Sequence, residues 1–307
     1  MNILQWEYAI EVARLSSINK AAEKLLVAPP NLSRAIRELE EDLGIVIFNR
    51  SYKGMTLTPE GENFIGYAKR IIGQINEVEY MYKSGASVKQ KFSVSVPRAS
   101  YISDAFARFS TCVSAEQAEI YYNETSSLHT MDSVISSEYD LGIVRYAKKF
   151  DKYFEKSFEE KGLLYELITD FHYVLIMNRD SPLAAQDAIR LSDLTPFIEI
   201  AHADPFVPSL ALSAVRKEEL PEEIKRRIFV FERASQFSLL LHNKETFMWV
   251  SPVPNQLLEQ FQLVQKECAD NRKTYRDVLV HRKDYPLSEL DRRFITELIR
   301  AKRRCLP

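Results

Sequence analysis

Glycine is scarce in this chain, with 8 residues in 307. That argues against glycine-built phosphate loops, and neither G-x-G-x-x-G nor a Walker loop occurs. Cysteine is scarcer still. Cys112, Cys268 and Cys305 are odd in number and widely spaced, and they form no C-x-x-C. Neither a disulfide framework nor a thiolate zinc site is expected. The five histidines, His129, His172, His202, His242 and His281, make no H-E-x-x-H or H-x-x-x-H spacing, and G-x-S-x-G is missing too. Together these gaps leave no expected catalysis, cofactor or metal. No run approaches the ~20 apolar residues of a membrane span. The opening Met1–Glu7 has no basic segment or long apolar core, so the expected compartment is a reduced cytoplasm. Charge of one sign is lacking as well: Lys+Arg 41 against Asp+Glu 43, net −2. Taken globally, that balance speaks against a nucleic-acid partner, but a global sum is blind to local patches. The length fits about two domains of roughly 100–200 residues.

In the first sixty residues Ile3, Trp6, Ile10 and Ala13 recur at helical spacing, with Asn2 as N-cap. Ile18, Ala22 and Leu25 mark a second helix capped by Asn19, which a break at Val27–Pro30 ends. A third helix carries Leu32, Ile36, Leu39 and Leu43 and stops at Gly44. Two extended runs follow, Ile45–Phe48 and Met55–Thr58, with Arg50, Lys53 and Gly54 in the turn between them. This is the outline of a winged helix-turn-helix. Such a motif puts the start of its second helix into the DNA major groove. That end offers Pro30, Asn31, Ser33, Arg34 and Arg37 opposite the apolar stripe. Arg reads guanine and Asn reads adenine, each bidentately, while Arg50 and Lys53 suit phosphates. The same residues also suit a solvated helix face and a basic turn, and the spacing alone leaves both readings open.

The runs Ser17–Leu25, Pro30–Gly44, Phe48-Asn49-Arg50 and Leu57–Gly61 resemble, in that order, the DNA-binding segment of LysR-type transcriptional regulators. The resemblance implies that Ser17, Asn19 and Lys20 join the recognition-helix residues at double-stranded promoter DNA. One departure stands out. The family usually opens its recognition helix with Ser/Thr-Gln-Pro, whereas this chain has Ala28-Pro29-Pro30. Ala28 offers no capping hydroxyl, and a helix start at Pro30 is expected. Base reading then shifts onto Asn31, Ser33, Arg34 and Arg37, so the family's operator preference does not carry over.

A long helix follows, capped by Thr58 with Pro59 at its first position. Phe64, Ala68, Ile71, Ile75, Val78 and Tyr82 step by 4, 3, 4, 3 and 4, a heptad seam. By spacing it is either a dimer seam or a face packed on the chain's own core. The resemblance implies dimerisation, as homodimer or homotetramer.

From Phe92 onward strand-like runs (Phe92–Val96, Glu119–Asn123, Leu141–Val144, Tyr173–Met177, Phe197–Ile200, Ile228–Phe231, Phe247–Val250, Val278–His281) alternate with helical ones. The helical runs include Ile102–Val113, Met131–Ser137, Ser209–Lys217 and Gln236–His242. The pattern predicts an α/β architecture with mostly parallel sheets. Tyr139–Val144, Ser181–Ala184 and Leu191–Leu194 resemble the LysR-type effector domain, which is similar to periplasmic binding proteins. The expected fold is therefore α/β overall. A winged helix-turn-helix spans 1–58, a linker helix 59–88 and a bilobed effector domain 89–307. The first lobe takes 89–162 plus 268–307 and the second 163–267, with a small-molecule effector between them. Ligands in open α/β sheets sit beyond the carboxyl ends of strands. That singles out Arg98, Ala99, Ser100, Tyr101, Ser126, Ser127, Arg145, His202 and Ser251. The arginines suit a carboxylate or other anion. The serines also read as helix N-caps, and the arginines and histidine as surface groups. RNA polymerase is the further partner that the resemblance implies, and no membrane is expected.

Residues 1–58 hold seven bases (Arg14, Lys20, Lys24, Arg34, Arg37, Arg50, Lys53) and seven acids (Glu7, Glu11, Glu23, Glu38, Glu40, Glu41, Asp42). Glu38, Glu40, Glu41 and Asp42 cluster near the far end of the recognition helix, and Arg34, Arg37, Arg50 and Lys53 sit toward the expected DNA side. Net neutrality is compatible with DNA binding.

Overall fold

The computed structural model describes residues 2–51, 54–83, 90–113, 118–202, 223–231 and 233–306. The chain divides into two compact units, Met1–Val88 and Lys89–Pro307.

The first unit packs α1 (Ile3–Leu15), α2 (Ile18–Lys24) and α3 (Pro29–Leu43) with an antiparallel ribbon, β1 (Phe48–Ser51) and β2 (Gly54–Leu57), and α4 (Pro59–Lys83). Its core joins Ala9, Val12, Ala21, Ala22, Leu32, Ile36, Leu39 and Ile47. Each large side chain there contributes roughly 1.5–3 kcal/mol by leaving water. The apolar line of α1 differs from the expected Ile3/Trp6/Ile10/Ala13 stripe. Its buried residues are Gln5, Ala9 and Val12, while Ile3 is 49 % exposed. Gln5 is drawn inward because it completes a capping box with Asn2. Ser17, rather than Asn19, caps α2 by accepting from the Lys20 amide. Helix α3 begins at Pro29, one residue earlier than expected, because proline fits the first helical positions without needing its missing N–H. It ends at Gly44, whose left-handed φ of 68° favours glycine. Glu40 reaches from α3 to accept from the amides of Ile47 and Phe48 at 2.8 and 3.1 Å. β1 starts only at Phe48, and Arg50 sits in this strand rather than in the turn.

The second unit holds two five-stranded sheets. The first has the order β4-β3-β5-β12-β6, from β3 (Gln90–Val96), β4 (Ala118–Glu124), β5 (Leu141–Ala147), β6 (Leu163–His172) and β12 (Thr274–Arg282). The second has the order β11-β7-β10-β8-β9, from β7 (Val174–Asn178), β8 (Ile198–His202), β9 (Arg226–Val230), β10 (Thr246–Val250) and β11 (Leu263–Lys266). Helices α5 (Ser100–Ser110), α6 (Ser127–Ile135), α7 (Asp151–Glu160) and α10 (Glu289–Cys305) belong with the first sheet, and α8 (Arg233–His242) and α9 (Asn255–Gln260) with the second. The expected helix over Ser209–Lys217 lies outside the described residues.

Two expectations are corrected. The sheets are mixed rather than mostly parallel. β3 pairs parallel with β4 and β5, but β12 runs antiparallel to both β5 and β6. In the second sheet β10–β8 and β8–β9 are parallel, while β7 is antiparallel to β10 and β11. Antiparallel neighbours arise wherever the chain crosses between sheets without a helical crossover. The boundary at 162/163 is also displaced. β6 pairs with β12 along its full length and so belongs to the first lobe, and the chain crosses at Tyr173. It returns between β11 and β12.

In the first lobe Arg276 of β12 donates to Asp170 at 2.7 Å and to Asp151 at 2.6 Å, and Lys148 also meets Asp170 at 2.7 Å. The Arg276 bond chiefly holds the Asp170 carboxyl down to about 2, from an ordinary 3.8. A depressed acid stabilises the fold fully above its unfolded pKa, and that stabilisation is lost as pH falls through the folded one. Denaturant unfolding between pH 6 and 2 is expected to show falling stability below about pH 4. In Asp170→Asn that part of the slope disappears; an unchanged slope would refute the assignment.

Candidate functional sites

The start of α3 is an outward-facing polar surface. Asn31, Arg34 and Arg37 are exposed and Ser33 is half-buried, while Leu32, Ile36 and Leu39 face the core. Pro30, Asn31, Arg34, Arg37, Glu38 and Glu41 line an open groove of about 470 Å³. Arg34 lies 3.7 Å from Glu38, but their side chains are 72 % and 54 % exposed. Such a pair is worth little and releases its arginine readily. Arg37 donates to the Ser33 carbonyl at 3.4 Å. Ser17 is occupied as the α2 cap, and Asn19 and Lys20 stand exposed on the first turn of α2. The Arg50 side chain and Lys53 lie outside the described residues.

Along α4 the heptad positions split. Ala68 is fully buried in the unit's own core, and Phe64 meets Trp6 edge-on at 5.6 Å. Phe64 thus packs on Trp6 of α1, and Ala68 is buried within the chain. Ile71 and Val78 are 36 % and 49 % exposed, and Ile75 is half-buried. The Tyr82 side chain lies outside the described residues.

In the second unit a small cavity of about 40 Å³ lies between the two sheets. From the first lobe Arg98, Ser100 and Arg145 line it, joined by Tyr173 at the crossing. The second lobe contributes His202, Arg233, Gln236, Trp249, Val250 and Ser251. Of the expected residues, Arg98, Ser100, Arg145, His202 and Ser251 thus come together. Ala99, Tyr101, Ser126 and Ser127 do not line the cavity. Ala99 is the buried N-cap residue of α5. Ser126 caps α6 and bonds the His129 ring at 2.8 Å. Ser127 accepts from the Arg145 amide at 3.1 Å. Tyr101 is fully buried and its hydroxyl donates to Asp277 at 2.5 Å. Burial first, and then the Asp277 carboxylate, pushes that phenol well above its ordinary value, so it stays protonated and can donate.

The cations of the cleft are not equivalent. Arg145 makes two 2.7 Å bonds to Asp277 and lies over the Phe171 ring at 4.7 Å. It is a buried strut between α5, β5 and β12. Arg233 joins the lobes, donating to Glu124 at 2.7 Å and to the Ser100 hydroxyl at 2.8 Å. The sequence reading missed Arg233, Gln236, Tyr173 and Trp249. Trp249 does sit at the carboxyl end of β10, where the strand-end rule points. Arg233 and Gln236 are one turn apart at the start of α8, upstream of the apolar run that reveals that helix. Three lining residues hold buried polar atoms with no hydrogen-bond partner: Gln236 Oε1, Trp249 Nε1 and Ser251 Oγ. Among the described residues no group of three or more His, Cys, Asp or Glu is placed to hold a metal, and no helix is long and apolar enough to cross a membrane.

The first unit is thus a winged helix-turn-helix with a polar face on α3, and the second holds two sheets with a polar cavity between them. Residues 3–62 match the family described as bacterial regulatory helix-turn-helix protein, lysR family. The match covers the first unit's helix-turn-helix segment. Over 98 residues it is 41 % identical to the uncharacterised HTH-type transcriptional regulator YcgK of Bacillus subtilis, covering 32 % of this chain and 30 % of that protein. The match thus spans about a third of that relative's length. The whole chain shares the fold of two full-length regulators. One is LysG from Corynebacterium glutamicum with bound effector Arg, at TM-score 0.62 and 14 % identity, covering 100 % of this chain and 99 % of that one. The other is full-length CbnR complexed with its target DNA, at 0.58 and 18 %, covering 98 % and 100 %. The family and these relatives are transcriptional regulators, not enzymes.

Proposed function

We propose that this chain is a sequence-specific, DNA-binding transcriptional regulator of the LysR type, and that a small anion in the cleft between its lobes sets its activity. The observation that carries this reading is α3, whose exposed Asn31, Arg34 and Arg37 oppose a fully buried apolar stripe. Such a helix offers bidentate donors to base edges while its core face fixes their direction. Its partners are double-stranded promoter DNA, the effector and RNA polymerase, and its place is the bacterial cytoplasm. The exposed Ile71 and Val78 of α4 support pairing of two chains, as homodimer or homotetramer, so that two recognition helices read a two-fold-related site. The effector shifts the ensemble only by binding one arrangement better than another.

Gel-shift titration against the DNA upstream of its own gene tests the reading. Retardation at low salt is expected, with log affinity falling linearly against log salt. Arg34→Ala should weaken binding by about 1–3 kcal/mol and leave the fold intact. No retardation by the intact protein would sink the DNA claim. For pairing, Ile71→Asp is expected to shift sedimentation from dimer toward monomer. A dimer that persists unchanged would move the interface off this face.

A further inference from the structure

We propose that Arg233 is a carboxylate-exchange switch: a small 2-hydroxycarboxylate of two or three carbons enters the cleft and takes the guanidinium from Glu124, presenting its hydroxyl to Gln236. This rests on the cleft being the effector site.

Arg233 bonds across the lobes. From the first residue of α8 it reaches Glu124 at the end of β4 and Ser100 at the start of α5. The Arg233 and Glu124 side chains are only 15 % and 18 % exposed, so removing one partner without replacement is costly. An incoming carboxylate supplies the replacement charge. Glu124 keeps a second bond, because the Tyr122 hydroxyl donates to it at 3.0 Å. Burial and the Glu124 carboxylate push the Tyr122 phenol up, so it remains a donor after the exchange.

The unpartnered atoms specify the rest of the ligand. Gln236 and Ser251 are 3 % and 2 % exposed, and Gln236 Oε1, Trp249 Nε1 and Ser251 Oγ have no partner. A buried polar group left unsatisfied loses its solvation without replacement. Indole N–H is a donor only, whereas an amide oxygen is an acceptor only. The ligand must therefore accept from Trp249 and donate to Gln236, while the Ser251 hydroxyl serves in either role. A bare carboxylate cannot donate. An ammonium group donates, but it would sit among Arg98, Arg145 and Arg233, and the Asp277 carboxylate already serves Arg145. A neutral hydroxyl next to a carboxylate satisfies both demands. The cavity of about 40 Å³ holds about three waters at 10–15 Å³ each, which limits the ligand to a few heavy atoms.

Calorimetric titration of the full chain with glycolate, L-lactate, acetate, propionate and glycine tests this. Glycolate and lactate should bind roughly tenfold more tightly than acetate and propionate, the worth of one good hydrogen bond, and glycine should not compete. Glu124→Gln removes the competing charge and should tighten glycolate about tenfold. Gln236→Leu should reduce glycolate to the level of acetate. Trp249→Phe, which keeps the ring, should weaken all the carboxylates alike. The thermal transition of each variant checks its fold. Glycolate no tighter than acetate, or unaltered by Glu124→Gln, overturns the exchange. If glycolate and lactate fail but benzoate raises the melting temperature, and Val250→Phe abolishes that rise, the exchange falls and the effector cleft stands. If no anion stabilises a chain that still binds DNA, both fall.

Discussion

Asp277→Ala is expected to destabilise the second unit by about 3–5 kcal/mol in denaturant unfolding, with its thermal midpoint lowered on the order of 10 °C. Asp277 is fully buried on β12, at the point where its register against β6 shifts. It receives two bonds from Arg145 and one from the Tyr101 hydroxyl. Removing it leaves a guanidinium, 8 % exposed, with ring faces for company and no counter-charge. Burial works against that charge, and Asp277 more than compensates, holding the Arg145 pKa above its usual value. The loss is that of an orphaned charge, not of an ion pair. The double variant Arg145→Met with Asp277→Leu should therefore recover most of it. Asp277→Ala within about 0.5 kcal/mol of the parent would show that the network carries no stability.

Gly61→Ala is expected to disrupt the first unit and abolish DNA retardation while the second unit's unfolding is unchanged. A Cβ at Gly61 would lie 2.1 Å from the Ile47 carbonyl oxygen and 2.9 Å from its carbon. Both are backbone, so neither swings aside. The close approach is built by Thr58, whose amide donates to Ile47 and whose hydroxyl donates to Val46 and accepts from the Gly61 amide. Forcing these segments apart should cost at least about 3 kcal/mol, the upper part of the range for overpacking. Gly66 in the same helix is the control. Nothing lies within 4 Å of its added Cβ, so Gly66→Ala should stabilise by roughly 0.5–1 kcal/mol. Equal effects at the two positions would show that propensity, not the clash, governs this helix.

The recognition helix was legible in the sequence because one periodic stripe, Leu32/Ile36/Leu39, reports burial on one face and so directs the polar residues outward. Where a helix has several neighbours, periodicity misleads. The α1 stripe is shifted because Gln5 is buried for its cap, and Phe64 and Ala68 meet the heptad pattern yet are taken up by the chain itself, Phe64 against Trp6 of α1. β6 is hard to read because Leu164–Leu167 are exposed along a sheet edge, which breaks the alternation. The strand-end rule placed Arg98, Ser100, His202 and Ser251 at the cavity, since topology fixes where strands end. It could not rank the arginines. Whether a guanidinium is a strut or a bridge depends on carboxylates more than 100 residues away, Asp277 for Arg145 and Glu124 for Arg233. No local pattern encodes that distance.

Glu40 changes how the neutral head should be counted. Its carboxylate is turned inward onto two backbone amides, where it fastens the end of the recognition helix to the base of the wing. A charge held this way repels phosphates less than a solvated one at the same position. It also couples α3 and the ribbon mechanically, so a torque applied to one is transmitted to the other.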